Sequence, residues 1–499
     1  MENNKKEEKK SGVSRRDFVK TTAVTAAGLT ILPSGVISAK GRKAPSDKLN
    51  IAGIGVGGMG FANLKRMETE NIVGLCDVDW KYSKRVFEHY PNAKKYKDYR
   101  KMYDELGDTI DAVVVATSDH THALVAADAM VRGWHAYVQK PLTHSVYESR
   151  LLTKLAEKYK VATQMGNQGA SGEGVNLTTE WLANGEIGEV EHVESFTDRP
   201  IWPQGLNAPE NGMWVPDTLD WDLFIGPAQM TPYHEIYTPW NWRGWWDFGT
   251  GALGDMACHI LHPVFVGLQL EYPIAAQGSS TLLLTECAPN AQMVNITFPK
   301  RKAPKNWKIK LPEVKVTWYD GGLQPEMPEG WPPGREMNDA GGGVIFHGTK
   351  DKLICGCYGK DPWLLSGRTP DAPKFRRRVE LSHEQDWIRA CKESPENRTP
   401  TSSPFSEAGP FNEMVVMGVM AVRLQALNKE LEWDGENMEF TNIGDDEAFK
   451  TVISDGFEIH DGHPTFAKEW TDPINAKAFA KELVNHKYRD GWKLPDMPA

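Results

Sequence analysis

An apolar run, Leu49–Ile54, opens directly into Gly55-Val56-Gly57-Gly58-Met59-Gly60 and then into a helix-patterned stretch that reaches Arg66. Glycines in this G-x-G-x-x-G order, between a buried strand and a helix, leave few architectures open. Gly55 permits the tight turn, Gly57 lets backbone lie against a pyrophosphate, and Gly60 lets helix and strand pack closely. Gly58 and Met59 complete the turn, where the free N–H groups of the helix start face the phosphates. A second apolar run, Ile72–Cys76, ends at Asp77, 22 residues after Gly55. A carboxylate at that point binds the adenosine ribose hydroxyls and repels a 2′-phosphate. NAD is therefore the expected cofactor, while Lys81, Lys84 and Arg85 keep NADP open.

The alternation continues with strand Ala112–Ala116, helix Ala123–Arg132, strand His135–Val138, helix Ser145–Tyr159 and strand Val161–Gln164. Strands alternating with helices predict a doubly wound parallel sheet, a Rossmann domain over residues 46–167. Two polar motifs follow strands, where open α/β sheets bind ligands. One is Thr117-Ser118-Asp119-His120-Thr121-His122, from which Thr117, Ser118, Asp119 and His122 are candidates for the nicotinamide end. The other is Gln139-Lys140-Pro141, whose lysine can donate to a substrate hydroxyl or tune a neighbouring base.

A chain of 499 residues exceeds one ordinary core, so a second domain over 168–499 is expected. Glu189–Phe196 and Met293–Phe298 read as strands of a larger sheet, Gly322–Gly343 as a long loop, and Ser382–Glu393 and Phe411–Asn428 as helices. Lys300–Lys310 reads as a solvated hairpin. The fold class is α/β: the Rossmann sheet, then an α+β domain with a large mixed, mostly antiparallel sheet. The net charge is −10, which opposes binding to nucleic acid. Six scattered cysteines, with no C-x-x-C pair, give no disulfide framework and no metal site.

Residues 1–39 read as an address. Ser14-Arg15-Arg16-Asp17-Phe18-Val19-Lys20 precedes the mild apolar run Thr21–Leu32 and small residues up to Ala39, a pattern that resembles a twin-arginine signal peptide. That run is too short for a transmembrane helix and no lipobox cysteine follows, so a periplasmic protein without a stable membrane anchor is expected. The twin-arginine route carries folded proteins, consistent with a cofactor inserted before export.

Among 18 tryptophans, the densest cluster is Trp242-Arg243-Gly244-Trp245-Trp246, which runs on to Asp255 and His259. On a helix, Asp255 and His259 share one face. A carboxylate beside an imidazole orients it and raises its basicity, as hydroxyl oxidation requires, although such pairs are also common surface ion pairs.

Together, Gly55–Gly60, Asp77, Thr117–His122, Gln139-Lys140-Pro141 and Asp255…His259 resemble the Gfo/Idh/MocA oxidoreductases, the family of glucose–fructose oxidoreductase and inositol dehydrogenases. The resemblance runs from about Lys48 to the end. It implies a catalytic set of Lys140, Asp255 and His259, and a homo-oligomer, dimer or tetramer. One departure is Gln139, where the family usually carries glutamate. Gln164-Met165-Gly166-Asn167-Gln168 and the tryptophan-rich segment are similar to an exported bacterial branch that includes glycoside 3-dehydrogenases. The implied reaction moves a hydride between a sugar or glycoside secondary hydroxyl, at C3, and a tightly bound nicotinamide. Asn167, Trp202, Trp242, Arg243, Trp246 and His262 are candidates for sugar contacts. Two other outcomes stay open: an NAD-dependent glycosidase acting through a 3-keto elimination, and a non-catalytic carbohydrate-binding protein on the same scaffold.

Overall fold

Strands that are apolar along their whole length must be covered on both faces, and a parallel sheet between helices does this. β1 (Asn50–Ile54), β2 (Asn71–Cys76), β3 (Lys94–Tyr96), β4 (Ala112–Val115), β5 (His135–Val138) and β6 (Thr163–Met165) pair in parallel in the order β3-β2-β1-β4-β5-β6. The computed structural model that shows this describes residues 47–337 and 341–498; the expected export segment, 1–39, lies outside the described residues. Strand order reverses between β1 and β4, which opens a crevice at the strand C-terminal ends. The expected helices follow. Val146–Tyr159 starts with a capping box: the Glu148 N–H donates to Ser145 Oγ at 3.3 Å, and the Ser145 N–H to Glu148 Oε2 at 3.0 Å.

The second half builds a nine-stranded mixed sheet. Its strands are β7 (Val190–Phe196), β8 (Ala275–Ser280), β9 (Gln292–Phe298), β10 (Val314–Tyr319), β11 (Gly343–Gly348), β12 (Lys352–Gly356), β13 (Trp363–Leu364), β14 (Leu431–Asp434) and β15 (Glu439–Phe440). The order is β13-β12-β11-β7-β10-β9-β8-β14-β15, antiparallel except where β7 meets β10. Alternation turns one face of this sheet to the main core, while Phe196, Ile345 and Ile354 form a smaller apolar cluster on the other. Val193, Val294, Ile296, Val316, Trp318 and Phe346 are buried in one core with Met414, Val415 and Met417 of the Phe405–Arg423 helix. That helix starts six residues before the expected Phe411, with Pro404 at the N-cap position and Pro410 accommodated inside it.

The chain is not divided cleanly at residue 167. The Phe405–Arg423 helix also packs on Val146–Tyr159, and the His383–Lys392 helix returns to the parallel sheet, where Trp387 and Ile388 join Ile51, Leu64 and Tyr137. Leu49–Ala499 is one compact unit. In the Lys300–Lys310 stretch Arg301 forms an isolated antiparallel bridge with Leu311, and the Lys308 N–H donates to the Ala183 carbonyl at 2.8 Å. A two-stranded antiparallel arm, Val452–His460 with His463–Trp470, was not evident in the sequence. All six cysteines are buried and unpaired. No helix among the described residues is long and apolar enough to cross a membrane.

Candidate active site

A cavity of about 650 Å³ runs from the glycine turn, across the crevice of the parallel sheet, to the Gly251–Ile260 helix. This volume falls in the range of small-molecule and cofactor sites. Its first end is made of backbone. Gly55 has φ +75°, and a Cβ there would meet the Ala116 carbonyl oxygen at 2.5 Å. A Cβ on Gly60 would meet the Gly55 oxygen at 2.3 Å. Gly55, Gly57, Gly58 and Met59 line the cavity, while Gly60 stays behind them as the packing contact. Asp77 closes this end. Its Oδ2 accepts from the Gly57 N–H and its Oδ1 from the Asp79 N–H, both at 2.9 Å. Burial raises the Asp77 carboxyl above its ordinary value, while hydrogen bonds to it act in the opposite sense. An open glycine turn and a fixed carboxylate at the end of β2 fit the pyrophosphate and ribose of a dinucleotide.

The second end is made of side chains. Lys140, just beyond β5, donates to Asp255 Oδ1 at 2.6 Å and to the Asp255 carbonyl oxygen at 2.9 Å. Arg243 Nε donates to the same Oδ1 at 3.0 Å. The Arg243 guanidinium lies 3.8 Å from the Trp240 ring and 4.3 Å from the Trp242 ring, so the two indoles hold it against Asp255. Burial would raise the Asp255 carboxyl, but the charges of Lys140 and Arg243 hold it well below the usual range. His259, one turn further along the helix, is 6% exposed. Among the described residues no group hydrogen-bonds its ring, and Nδ1 is buried without a partner. Burial, reinforced by the Lys140 charge, pushes the imidazole down to about 3. At neutral pH it is therefore uncharged and keeps a lone pair for a proton.

The expectation that Asp255 orients His259 is corrected here, because the carboxylate is committed to Lys140 and Arg243. Its field reaches His259, but no hydrogen bond joins the two side chains. Gln139 likewise acts away from Lys140 Nζ: its amide donates to Asn63 Oδ1 at 2.8 Å. The carboxylate beside this lysine thus comes from the second half of the chain.

Of the remaining candidates, Thr117, Ser118, Trp202, Trp242 and Arg243 line the cavity. Asp119, His122, Asn167, Trp246 and His262 do not. The His122 ring lies between the carbonyls of Pro141 (Nδ1, 2.8 Å) and Thr117 (Nε2, 3.1 Å), and the neutral imidazole donates its one N–H to one of them, so it packs between the Lys140 turn and the Thr117 turn. Asp119 accepts from the N–H and hydroxyl of Thr250 at 3.1 and 2.7 Å, docking the start of the Gly251–Ile260 helix. Trp246 belongs to the core, and His262 faces Glu407 at 3.0 Å with its ring against Phe411. Asn167 is 1% exposed with both amide atoms unpartnered, beside the cavity-lining Gln168. Sequence reasoning missed Arg199, Trp240 and Tyr358. Tyr358 is the plainest omission: it has φ +64° and its ring lies 4.5 Å from that of His259. An aromatic residue before a glycine, just past a strand, was its one local signal.

Comparison with known proteins agrees with this layout. The family model described as "Oxidoreductase family, NAD-binding Rossmann fold" matches residues 49–167, and the companion "Oxidoreductase family, C-terminal alpha/beta domain" matches residues 189–278. Glycosyl hydrolase family 109 protein 2 of Akkermansia muciniphila is 29% identical over 198 residues, 37% of this chain and 41% of that protein. The alpha-N-acetylgalactosaminidase of Shewanella oneidensis is 27% identical over 210 residues, 37% of this chain and 45% of that one. The match thus spans less than half the length of these curated relatives. In fold, the chain is similar to the WlbA dehydrogenase from Bordetella pertussis in complex with NADH and UDP-GlcNAcA, at TM-score 0.52 and 13% identity, over 78% of this chain and 99% of that one. It is also similar to levoglucosan dehydrogenase in complex with NADH and L-sorbose, at TM-score 0.50 and 14% identity, over 77% and 98%.

Proposed function

The chain belongs to the Gfo/Idh/MocA oxidoreductases and is an NAD-binding protein, and from that premise we propose that it oxidises a secondary hydroxyl of a sugar or glycoside, at C3, to a ketone. The observation that carries this reading is the Lys140–Asp255 pair beside the unpartnered imidazole of His259, on one cavity with the glycine turn. NAD, when bound, supplies the hydride acceptor. Lys140 donates a hydrogen bond to the reacting oxygen and stabilises its developing charge. Asp255, held by Arg243, fixes the ammonium group where that oxygen sits. His259 takes the hydroxyl proton on a free ring nitrogen. Trp202 and Trp242 offer flat apolar faces to a sugar ring, and Gln168, which also lines the cavity, offers an amide to its other hydroxyls.

A second reading is favoured by the names of the relatives, which are glycosyl hydrolases. A ketone at C3 acidifies the C2 hydrogen and eases loss of the C1 substituent, so the same first step can end in release of free sugar. Incubating the protein with a panel of glucosides and N-acetylgalactosaminides, with products read by mass spectrometry, separates the outcomes. Loss of two hydrogens marks the dehydrogenase, release of the aglycone with free sugar marks the glycosidase, and neither product from any member rejects both.

We also read the protein as exported to the periplasm by the twin-arginine route, as a dimer or tetramer, with NAD retained through turnover. Little free NAD is available there, so reduced cofactor is reoxidised in place by a second carbonyl compound. Protein purified without added cofactor should then carry near-stoichiometric nicotinamide dinucleotide through gel filtration, and empty protein would refute the retention.

A further inference from the structure

The outer face of the nine-stranded sheet carries two histidines and a glutamate at chelating spacing. His192 and Glu194 are two apart on β7, so their side chains leave the same face. His347 on β11 lies directly across from His192 in the antiparallel register. The two imidazoles stack with centroids 5.2 Å apart and planes 18° from parallel. One donor atom from each of the three side chains lies within 4.8 Å of the other two. None of the three lines the cavity, and the hydride transfer described above uses none of them.

The neighbours fix which nitrogen is free. Thr317 Oγ1 donates to Asn295 Oδ1 at 2.9 Å, so it accepts from His192 Nε2 at 3.1 Å. His192 Nδ1 is left as the bare nitrogen. Glu194 Oε1 accepts from the Tyr319 hydroxyl at 3.4 Å, and its Oε2 faces His347 Nε2 at 2.8 Å. An imidazole whose far nitrogen donates to a fixed oxygen, beside a carboxylate steadied by a hydroxyl, is the usual surrounding of ligating histidines. A simple ion pair would need one histidine, whereas this face brings two to one carboxylate. Two nitrogens and a carboxylate suit a divalent transition ion, since calcium and magnesium prefer oxygen ligands throughout. The strands that hold the three side chains are paired by backbone hydrogen bonds, which fix the three Cα positions, and side-chain rotation closes the remaining distance around an ion.

We infer that His192, Glu194 and His347 bind one divalent transition-metal ion, zinc being the probe of choice, on the outer face of the sheet. The ion takes the place of the proton between His347 Nε2 and Glu194 Oε2 and leaves a fourth position to water. The test is equilibrium dialysis of chelator-treated full-length protein against zinc, with cobalt(II) absorption as a second readout of tetrahedral nitrogen and oxygen ligation. We expect one zinc per chain at this site. His192→Ala and His347→Ala should weaken binding at least about 100-fold, and Thr317→Val, which removes the acceptor behind His192 together with the donor to Asn295, about 10- to 100-fold. His463→Ala, on the exposed arm, should leave binding unchanged. Unaltered melting temperatures of the metal-free variants would show that the fold survives. Wild-type protein that takes up no zinc at micromolar concentration overturns the inference, as does stoichiometric binding that persists in both histidine variants.

Discussion

The two ends of the cavity are built from different material. The dinucleotide end is a turn of about six residues in which backbone geometry decides everything: Gly55 must sit at φ +75°, and Gly60 must leave room for the Gly55 carbonyl. The substrate end is assembled from Lys140, Arg243, Asp255, His259 and Tyr358, which come from separate stretches of the chain and meet through side-chain contacts. The first is a local structure that presents N–H groups. The second is a charge balance, in which two cations share one carboxylate and a neutral imidazole stands beside them. Damage at the first end should therefore appear in cofactor binding, and damage at the second in turnover.

The largest effect should come from the substrate end. Lys140→Ala and His259→Ala are each expected to lower kcat by about 10²- to 10⁴-fold, with NAD affinity unchanged within about twofold as read by fluorescence titration. Because His259 is held down near 3, it keeps its lone pair through the neutral range. The acid limb of kcat/KM should then appear only below about pH 5, not near the ordinary histidine value of about 6.5. A limb at 6 to 7 that disappears in His259→Gln would mean that the imidazole is far better solvated than its burial indicates.

Gly55→Ala should show the opposite pattern. A left-handed alanine costs about 1–2 kcal/mol, and its Cβ must also displace the Ala116 carbonyl. NAD should bind about 10-fold more weakly or worse, while kcat at saturating cofactor stays within about threefold; a fall in kcat alone would erase the distinction between the two ends. Asp77→Ala is smaller in scope. It should narrow the preference for NAD over NADP by about 10-fold, the worth of a charged hydrogen bond, with sugar KM unaffected. Direct titration with both cofactors decides it.

The smallest effect concerns the joint between the two ends. Burial lifts the Asp119 carboxyl from 3.8 to about 7. The folded state thus holds this proton more tightly than the unfolded chain does. Stability from this group is complete below about pH 4 and is lost as pH rises through about 7. Asp119→Asn should flatten the fall in melting temperature between pH 5 and 8 relative to wild type. Parallel curves for the two proteins would remove Asp119 from the pH response.

How much was legible in advance follows the same division. The strand, the glycines, the helix and Asp77 lie within one short stretch, and each constrains its neighbours through backbone sterics, so the order of residues is enough to read them. The parallel sheet followed from apolar runs alternating with helical pattern. Lys140, Asp255 and His259 were singled out by motif, spacing and resemblance, and the fold brings them to one cavity, but their wiring was not legible. The expected Asp255–His259 contact gave way to Lys140 and Arg243, because a carboxylate near two permanent cations gains more from them than from a buried neutral imidazole. His122 and Asp119, placed at the cofactor by their motif, turned out to tie loops together instead.

The sequence by itself determined the dinucleotide turn, the acid at the end of β2, the alternation that makes a parallel sheet and the residue types fit for hydroxyl chemistry. Those depend on covalent geometry and on spacing along the chain. Only the tertiary structure decided that Lys140 and Asp255, 115 residues apart, share a bond of 2.6 Å, that Arg243 is held between two indoles, that Trp246 and His262 belong to the core, and that His192 and His347 face one carboxylate. Partners so far apart in sequence are chosen by strand register and by competition among buried charges, and neither leaves a periodic mark in the order of residues.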